Sequence, residues 1–322
     1  MSANKIKTAI KKFNKFLISS HINPEGDAIG CQLALVSLLR RLGKKAVMLN
    51  ESPVPHVLQF MKGTENVLKE IPADFNFQAA VILDCPDLSR VGRVSEYITP
   101  DKVVINIDHH ISNENFGKHN WVDRNISSTG EMIYDLFKAF KLKIEYDEAL
   151  AMYVAIMTDT GSFRYTNTTS RTHRIAAELI DKGVDPYEAF GRIYETSSLQ
   201  DINLLGEALQ TLKLTDDGKV AWLWVTKEML KKTKASLEGT EGIINFARSI
   251  EGVEIAMLFR ETGTEGRIKV SFRSKGKVDV NKLAAFFGGG GHVTASGCTV
   301  FGKMKAVEKK VLAKAQGMAR DI

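Results

Sequence analysis

The chain has 322 residues, 44% of them hydrophobic and 25% charged, globular values that leave room for two domains and sizeable cores. Cys31, Cys85 and Cys298 are the only cysteines, odd in number and far apart, which argues against a disulfide framework or a zinc finger; no apolar run approaches the ~18–20 residues of a membrane span and no signal pattern opens the chain, so the expected location is the cytoplasm. The net charge of +6 resides in the second part: residues 1–200 hold 24 Lys+Arg against 24 Asp+Glu, leaving 20 against 14 for residues 201–322, a basic excess that suits an anionic partner and also fits lysine-rich solvated helices.

In chain order, a short polar helix precedes the apolar run 16–20, predicted as a buried strand. An amphipathic helix follows over about 28–42, then strands over 46–49, 79–84 and 103–108. This order predicts a parallel sheet with helices on both faces. From about 128 to 212 the pattern is helical almost throughout, with Asp185-Pro186 opening one helix. Strands over 220–225, 253–260 and 267–273 predict a second, smaller α/β domain. The expected division is a catalytic domain over 1–195, a helical connection over 196–212 and a substrate-binding domain over 213–322, the two facing each other across a cleft.

Four segments place acids and histidines where predicted strands or helices end: His21-Ile-Asn-Pro-Glu25-Gly-Asp27, Val-Ile-Leu-Asp84, Asp108-His109-His110 and Met157-Thr-Asp159-Thr-Gly161. In open α/β sheets ligands bind at that edge. A single acid after a strand is ordinarily a cap or a turn residue, and paired histidines are ordinary on surfaces. Four such clusters in one domain are a different matter. Their mixture of imidazole and carboxylate suits Mn²⁺, Mg²⁺ or Fe²⁺, and the absence of cysteine ligands argues against structural zinc. In the second half, four glycines from Gly288 to Gly291 precede His292, and the sequence predicts a backbone open to an anion at a helix start. Arg273-Ser274 and Arg260 stand at strand ends as candidate anion contacts, with an exposed solubilising charge as the plain alternative for Arg260.

Taken in order, HINPEGDAIG, ILDCPD, NIDHH and MTDTGSF resemble the four motifs of the DHH phosphoesterases, and GGGGHVTASG resembles the signature of the DHHA1 domain; the likeness covers almost the whole chain. It implies two divalent cations, Mn²⁺ first and Mg²⁺ second. His21, Glu25 and Asp84 would hold one; Asp27, Asp84, His109 and Asp159 the other, with Asp84 shared. It also implies His110 at the scissile phosphate, Asp108 orienting a histidine, and substrate contacts from Arg260, Arg273, Ser274, Gly289, Gly290, Gly291 and His292. The family ordinarily carries Asp where this chain has Glu25; Glu keeps the charge and adds a methylene, which alters reach.

The implied layout, a DHH domain followed directly by DHHA1, is that of the members degrading very short oligoribonucleotides to mononucleotides and removing the 3′-phosphate of adenosine 3′,5′-bisphosphate (pAp). RecJ-type members are longer, family II pyrophosphatases lack the GGGH signature, and membrane-bound cyclic-dinucleotide phosphodiesterases add transmembrane and sensor segments. Members acting on cyclic di-AMP or pApA share the layout, and members often pair as homodimers. From a different class, a nucleotide-binding sensor on a degenerate scaffold stays open, with Glu25 as its first departure.

Overall fold

The computed structural model describes residues 2–240 and 242–320. The chain divides between Thr196 and Ser197 into two compact units. The first runs α1 (Ala3–Lys11), β1 (Lys15–Ser19), α2 (Gly26–Arg41), β2 (Lys45–Leu49), β3 (Val67–Leu68), β4 (Ala79–Leu83), β5 (Val103–Asp108), β6 (His119–Val122), α3 (Thr129–Phe140), α4 (Tyr146–Asp159), α5 (Ser170–Ile180) and α6 (Pro186–Tyr194). Its sheet is parallel in the order β3-β2-β1-β4-β5-β6.

Alternation along β1, β4 and β5 divides their side chains between two cores. Phe16, Ile18, Val81, Leu83, Ile105 and Ile107 face the α-helices. Leu17, Ala80 and Ile82 face the other way. The cover there includes Val91 and Val94 of a 3-10 segment, Leu88–Tyr97, so helical cover lies on both faces but is α on one and 3-10 on the other.

Order in the sheet reverses beside β1: the chain leaves β1 to build β2 and β3 on one side, then returns to build β4, β5 and β6 on the other. That reversal is a topological switch point, where a crevice opens beyond the strand ends. In register, Ser19 lies beside Ile82 and Leu83 beside Ile107. Continuing each strand one or two residues brings His21, Asp84 and Asp108 side by side at that crevice.

α2 packs closely on α4, and glycines permit it. A Cβ at Gly30 would lie 2.2 Å from the Ala151 carbonyl oxygen, and one at Gly26 would lie 2.4 Å from Thr158 Oγ1. Both helices carry candidate site residues at their ends, so this contact sets the distance between Asp27 and Asp159. We expect Gly30→Ala to cost about 1–3 kcal/mol through overpacking against backbone, read as a lowered thermal midpoint. An unchanged midpoint would mean that the helices separate freely.

The second unit runs α7 (Leu199–Leu209), β7 (Lys213–Leu214), β8 (Val220–Val225), α8 (Lys227–Thr233), α9 (Ile243–Ser249), β9 (Ile255–Glu261), β10 (Arg267–Ser274), α10 (Val280–Phe286), β11 (Gly290–Gly291), β12 (Ala295–Phe301) and α11 (Met304–Arg320). Its sheet has the order β11-β12-β10-β9-β8-β7, with β8 and β9 parallel and the other pairs antiparallel. α10 and α11 cover one face through Leu283, Val307 and Val311. On the other face, Leu204 and Ala208 of α7 join Ile243, Ile244 and Ala247 of α9 over β8 and β9. The helix expected as a connection thus contributes to the core of the second unit. Beyond α9, on the same face of β10 and β12, Lys269 is exposed and Ser271, Arg273, Ala295 and Gly297 are half-buried.

Candidate active site

His21 follows β1, and its Nδ1 lies 2.8 Å from the Ile22 carbonyl oxygen. Donation there turns Nε2 towards Asp84 Oδ2 at 3.6 Å. Asp84 follows β4 in a left-handed conformation, φ 51°, which swings its carboxylate into the crevice. Its Oδ1 lies 3.5 Å from His109 Nε2, 3.6 Å from His110 Nδ1 and 3.2 Å from Thr129 Oγ1. His109 Nε2 also lies 3.5 Å from Asp159 Oδ2 and 3.9 Å from Asp27 Oδ2. Asp159 is the last residue of α4, and Asp27 stands in the first turn of α2.

These separations decide what the cluster can do. Hydrogen bonds from nitrogen to oxygen span about 2.7–3.2 Å, so 3.5–3.9 Å is too long for direct bonding. Donors that share one cation at ~2.0–2.2 Å stand apart by about this much. Three sets each offer ligand atoms within 4.8 Å of one another: His21, Glu25 and Asp84; Asp27, His109 and Asp159; and Asp84, His109 and His110. Asp84 and His109 each belong to two sets. The donors are oxygen and imidazole nitrogen, which suit a hard or borderline divalent ion.

Two carboxylates are held by neighbours. Asp27 accepts from the backbone N–H groups of Thr129 at 2.7 Å and Gly130 at 2.8 Å. These are the first residues of α3, so Asp27 sits at a helix start where orphan donors and the helix dipole favour an anion. Ser128 caps that helix, and Glu131 in its first turn accepts from Ser127 Oγ and Thr172 Oγ1 at 2.6 Å and from Arg171 Nε at 3.1 Å, tying α3 to α5. Asp108 lies 2.6 Å from His110 Nδ1 and accepts from Asn113 Nδ2 at 2.5 Å, while Asn113 also donates to the Cys85 carbonyl oxygen at 3.2 Å. This fixes the plane of the His110 ring. Asn167 Nδ2 donates to the Ser127 and Asp159 carbonyl oxygens at 2.9 and 3.1 Å.

Burial and charge pull the titrating groups apart. Burial opposes ionisation of Asp84, yet His109, His21 and His110 outweigh it and hold its carboxyl well below the usual range. Burial opposes charge on His109 too, and Asp84, Asp159 and Asp27 overcome it, so its pKa stands well above an ordinary histidine's. Burial pushes Asp159 up to about 7; Asp84 and Glu25 add to this and His109 works against it. Divergent values packed this closely are a mark of functional clusters.

Of the residues singled out in the first unit, His21, Glu25, Asp27, Asp84, His109, His110 and Asp159 come together, with Asp108 behind His110. The contacts absent from the sequence reading are the Thr129 hydroxyl, the α3 backbone and the amides Asn113 and Asn167. The signal for α3 was the run Ser127-Ser128-Thr129-Gly130-Glu131, a helix-start pattern; nothing local pointed to the amides.

In the second unit the structure corrects several expectations. Ser274 does not share a face with Arg273: strand alternation turns it into the core, where its Oγ accepts from Gly276 N at 2.9 Å. Arg260 pairs with Lys269 across antiparallel strands while Arg273 pairs with Ala256, so the two arginines stand at different levels of the sheet. Arg260 Nη1 donates to Thr240 Oγ1 at 2.8 Å. His292 does not start a helix. It lies in the turn between β11 and β12, its N–H donating to the Ala295 carbonyl at 2.7 Å.

The glycines mainly serve chain packing. A Cβ at Gly289 would lie 2.2 Å from the Gly297 carbonyl oxygen, and one at Gly291 2.6 Å from that of Ala295, whereas one at Gly290 would meet only Asn281 Oδ1, at 3.8 Å. Arg273, Gly291 and His292 do gather at one end of the sheet, through Arg273 beside Ala295 and Gly291 beside Ser296.

Imidazoles and carboxylates spaced for cations at a switch point, followed by a second α/β unit that carries the basic excess of the chain, define a two-domain α/β hydrolase. More narrowly, the chain belongs to the DHH family. Residues 15–156 match the model described as DHH family, N-terminal domain, and residues 217–317 match the DHHA1 domain. A bifunctional oligoribonuclease and PAP phosphatase NrnA of Thermus thermophilus is 33% identical over 285 residues, covering 88% of this chain and 84% of that protein. The Bacillus subtilis protein of the same name is 31% identical over 306 residues, covering 94% of each. Among solved structures, an exopolyphosphatase-related protein from Bacteroides fragilis is similar at TM-score 0.89 and 29% identity, covering 99% of this chain and 95% of that one.

Proposed function

We propose that this phosphoesterase hydrolyses very short oligoribonucleotides to mononucleotides and removes the 3′-phosphate of pAp, using two divalent cations, with Mn²⁺ preferred over Mg²⁺. The observation that carries the reading is the convergence of His21, Glu25, Asp27, Asp84, His109 and Asp159 at one crevice, at spacings suited to shared cations. The near full-length relatives that bear those activities in their names support the substrate class. Short RNA fragments arise in RNA turnover inside the cell, which makes the cytoplasm the proposed place of action.

His21, Glu25 and Asp84 are assigned to one cation, and Asp27, Asp84, His109 and Asp159 to the other. Bound there, the cations supply charge screening for the phosphoryl oxygens and acidify the attacking water. The protein's own groups do the positioning. Asp84 holds the two ligand sets at one separation because its two oxygens face different histidines. The start of α3 keeps Asp27 aimed inward. His110, oriented by Asp108, is assigned to the scissile phosphate or its leaving oxygen, where an imidazole N–H can donate. Glu25 is the most exposed member of the set, and its extra methylene lets it reach inward from the N-cap of α2.

Arg273 and His292 are assigned to the substrate's anionic groups or base. Arg273→Ala is expected to raise KM about tenfold or more, the scale of a lost charge-assisted hydrogen bond, and to leave kcat at saturation nearly unchanged. A large fall in kcat would reject that role.

The deciding experiment is a panel of pAp, pApA, pGpG, cyclic di-AMP and a short RNA, each incubated with the purified protein and Mn²⁺ or Mg²⁺. Release of AMP from pAp and of mononucleotides from the linear fragments is expected. Preferred turnover of cyclic di-AMP would replace the substrate class, and binding without turnover under every metal would make the protein a sensor instead.

A further inference from the structure

A buried carboxylate of the first unit stands outside the three ligand sets. Glu131, in the first turn of α3, is 1% exposed. Its Oε1 accepts from Ser127 Oγ and Thr172 Oγ1, both at 2.6 Å, and its Oε2 pairs with Arg171 Nε at 3.1 Å. A buried ion pair is often no more stabilising than apolar side chains of the same volume. Stability alone therefore does not account for a charge at this position.

The residues around Glu131 lead to the cup. Ser127 is pinned on two sides: Glu131 takes its hydroxyl, and Asn167 Nδ2 donates to its carbonyl at 2.9 Å and to that of Asp159 at 3.1 Å. Two residues on, Thr129 grips two carboxylates at once. Its N–H donates to Asp27 Oδ2 at 2.7 Å, and its hydroxyl donates to Asp84 Oδ1 at 3.2 Å. The Gly130 N–H holds the other Asp27 oxygen at 2.8 Å. Thr129 thus fixes how far a carboxylate on α2 stands from one after β4, and the bonds to Glu131 fix where the first turn of α3 stands.

We propose that Glu131 is a positioning residue for the divalent cations: through Ser127 and the first turn of α3 it sets Thr129 and Gly130, and with them the placement of Asp27 and Asp84. This rests on the reading of the cup as a cation site. Side chains that orient ligands without touching the metal typically govern about 10–100-fold in metal affinity, because a ligand free to turn must first be brought into place.

Glu148 supplies the control. It is 3% exposed in the first turn of α4, accepts from Ser37 Oγ at 2.6 Å and pairs with Arg41 Nη1 at 2.8 Å. It is the same kind of buried ion pair, at the opposite end of α4 from Asp159, about 16 Å away along the helix.

The test is Mn²⁺ binding by calorimetry, on folded protein without substrate. Glu131→Gln keeps the shape, removes the charge and is expected to weaken Mn²⁺ binding at least about tenfold. Ser127→Ala leaves the pair with Arg171 in place, cuts the link to the loop, and should weaken binding in the same direction. Glu148→Gln should lower the melting midpoint in chelator, as Glu131→Gln does, and leave the Mn²⁺ Kd as it was. Unchanged affinity in Glu131→Gln, or an equal loss in Glu148→Gln, overturns the proposal. Should Glu131→Gln not fold, Ser127→Ala decides by the same measure. Equal Mn²⁺ binding by every chain would sink this role and leave the cation site standing, whereas an unaltered chain that binds no Mn²⁺ would sink both.

Discussion

Asp84→Asn is expected to abolish turnover of every substrate in the panel, with a loss of at least about a thousandfold. The carboxylate faces His21 through one oxygen and His109, His110 and Thr129 through the other, so no second residue can take over its place between the two ligand sets. A loss of about 4 kcal/mol in the barrier is a thousandfold in rate, and several kcal/mol is the scale of charge stabilisation that cations supply at a phosphoryl centre. Asparagine is the better substitution than alanine. At φ 51° a residue with a Cβ is strained, and Asn is among the side chains that tolerate this conformation best. Asp84→Asn therefore removes the charge and keeps the bend after β4. Retention of more than about a tenth of kcat would rule Asp84 out as the shared ligand.

The second large effect is on stability. A ligand at 100 times its Kd stabilises the folded state by about 2.7 kcal/mol per site, and each kcal/mol moves the midpoint of a domain of this size by roughly 2–4 °C. Saturating Mn²⁺ should therefore raise the melting midpoint of the first unit by roughly 5–10 °C for one site and more for two, and a chelator should reverse it. The cause is electrostatic: Asp27, Asp84 and Asp159 converge on His109 from three elements, and cations relieve the repulsion among their carboxylates. Asp84→Asn should lose most of the Mn²⁺ response. A midpoint indifferent to Mn²⁺ in the unaltered protein would mean that these carboxylates do not gather cations.

Much of the first unit is legible because its signals are local. Apolar runs such as Ala79–Leu83 are buried throughout, and a strand that buries both faces needs an unbroken apolar run. Acids and histidines after such runs fall at the sheet edge by continuity of the chain. The second unit was harder to read. β12 alternates Ser296, Cys298 and Val300 inward with Ala295, Gly297 and Thr299 outward, a weak pattern, and β11 is two glycines whose pairing depends on what lies beside them. Ser274 illustrates the limit. Next to Arg273 in sequence, it faces the opposite side of the sheet, because period-two alternation overrides adjacency.

The amino-acid sequence by itself determined which chemistry this protein carries: the order of strands and helices, the imidazoles and carboxylates at their ends, and a basic second part. These depend on residue type and on spacing within a few positions. Only tertiary structure decided that Asp84 faces three histidines and that α3 starts under Asp27. Each of these unites residues tens of positions apart. Register between parallel strands and close approach of α2 to α4 at Gly30 bring them together, and such contacts exist only once the cores have packed.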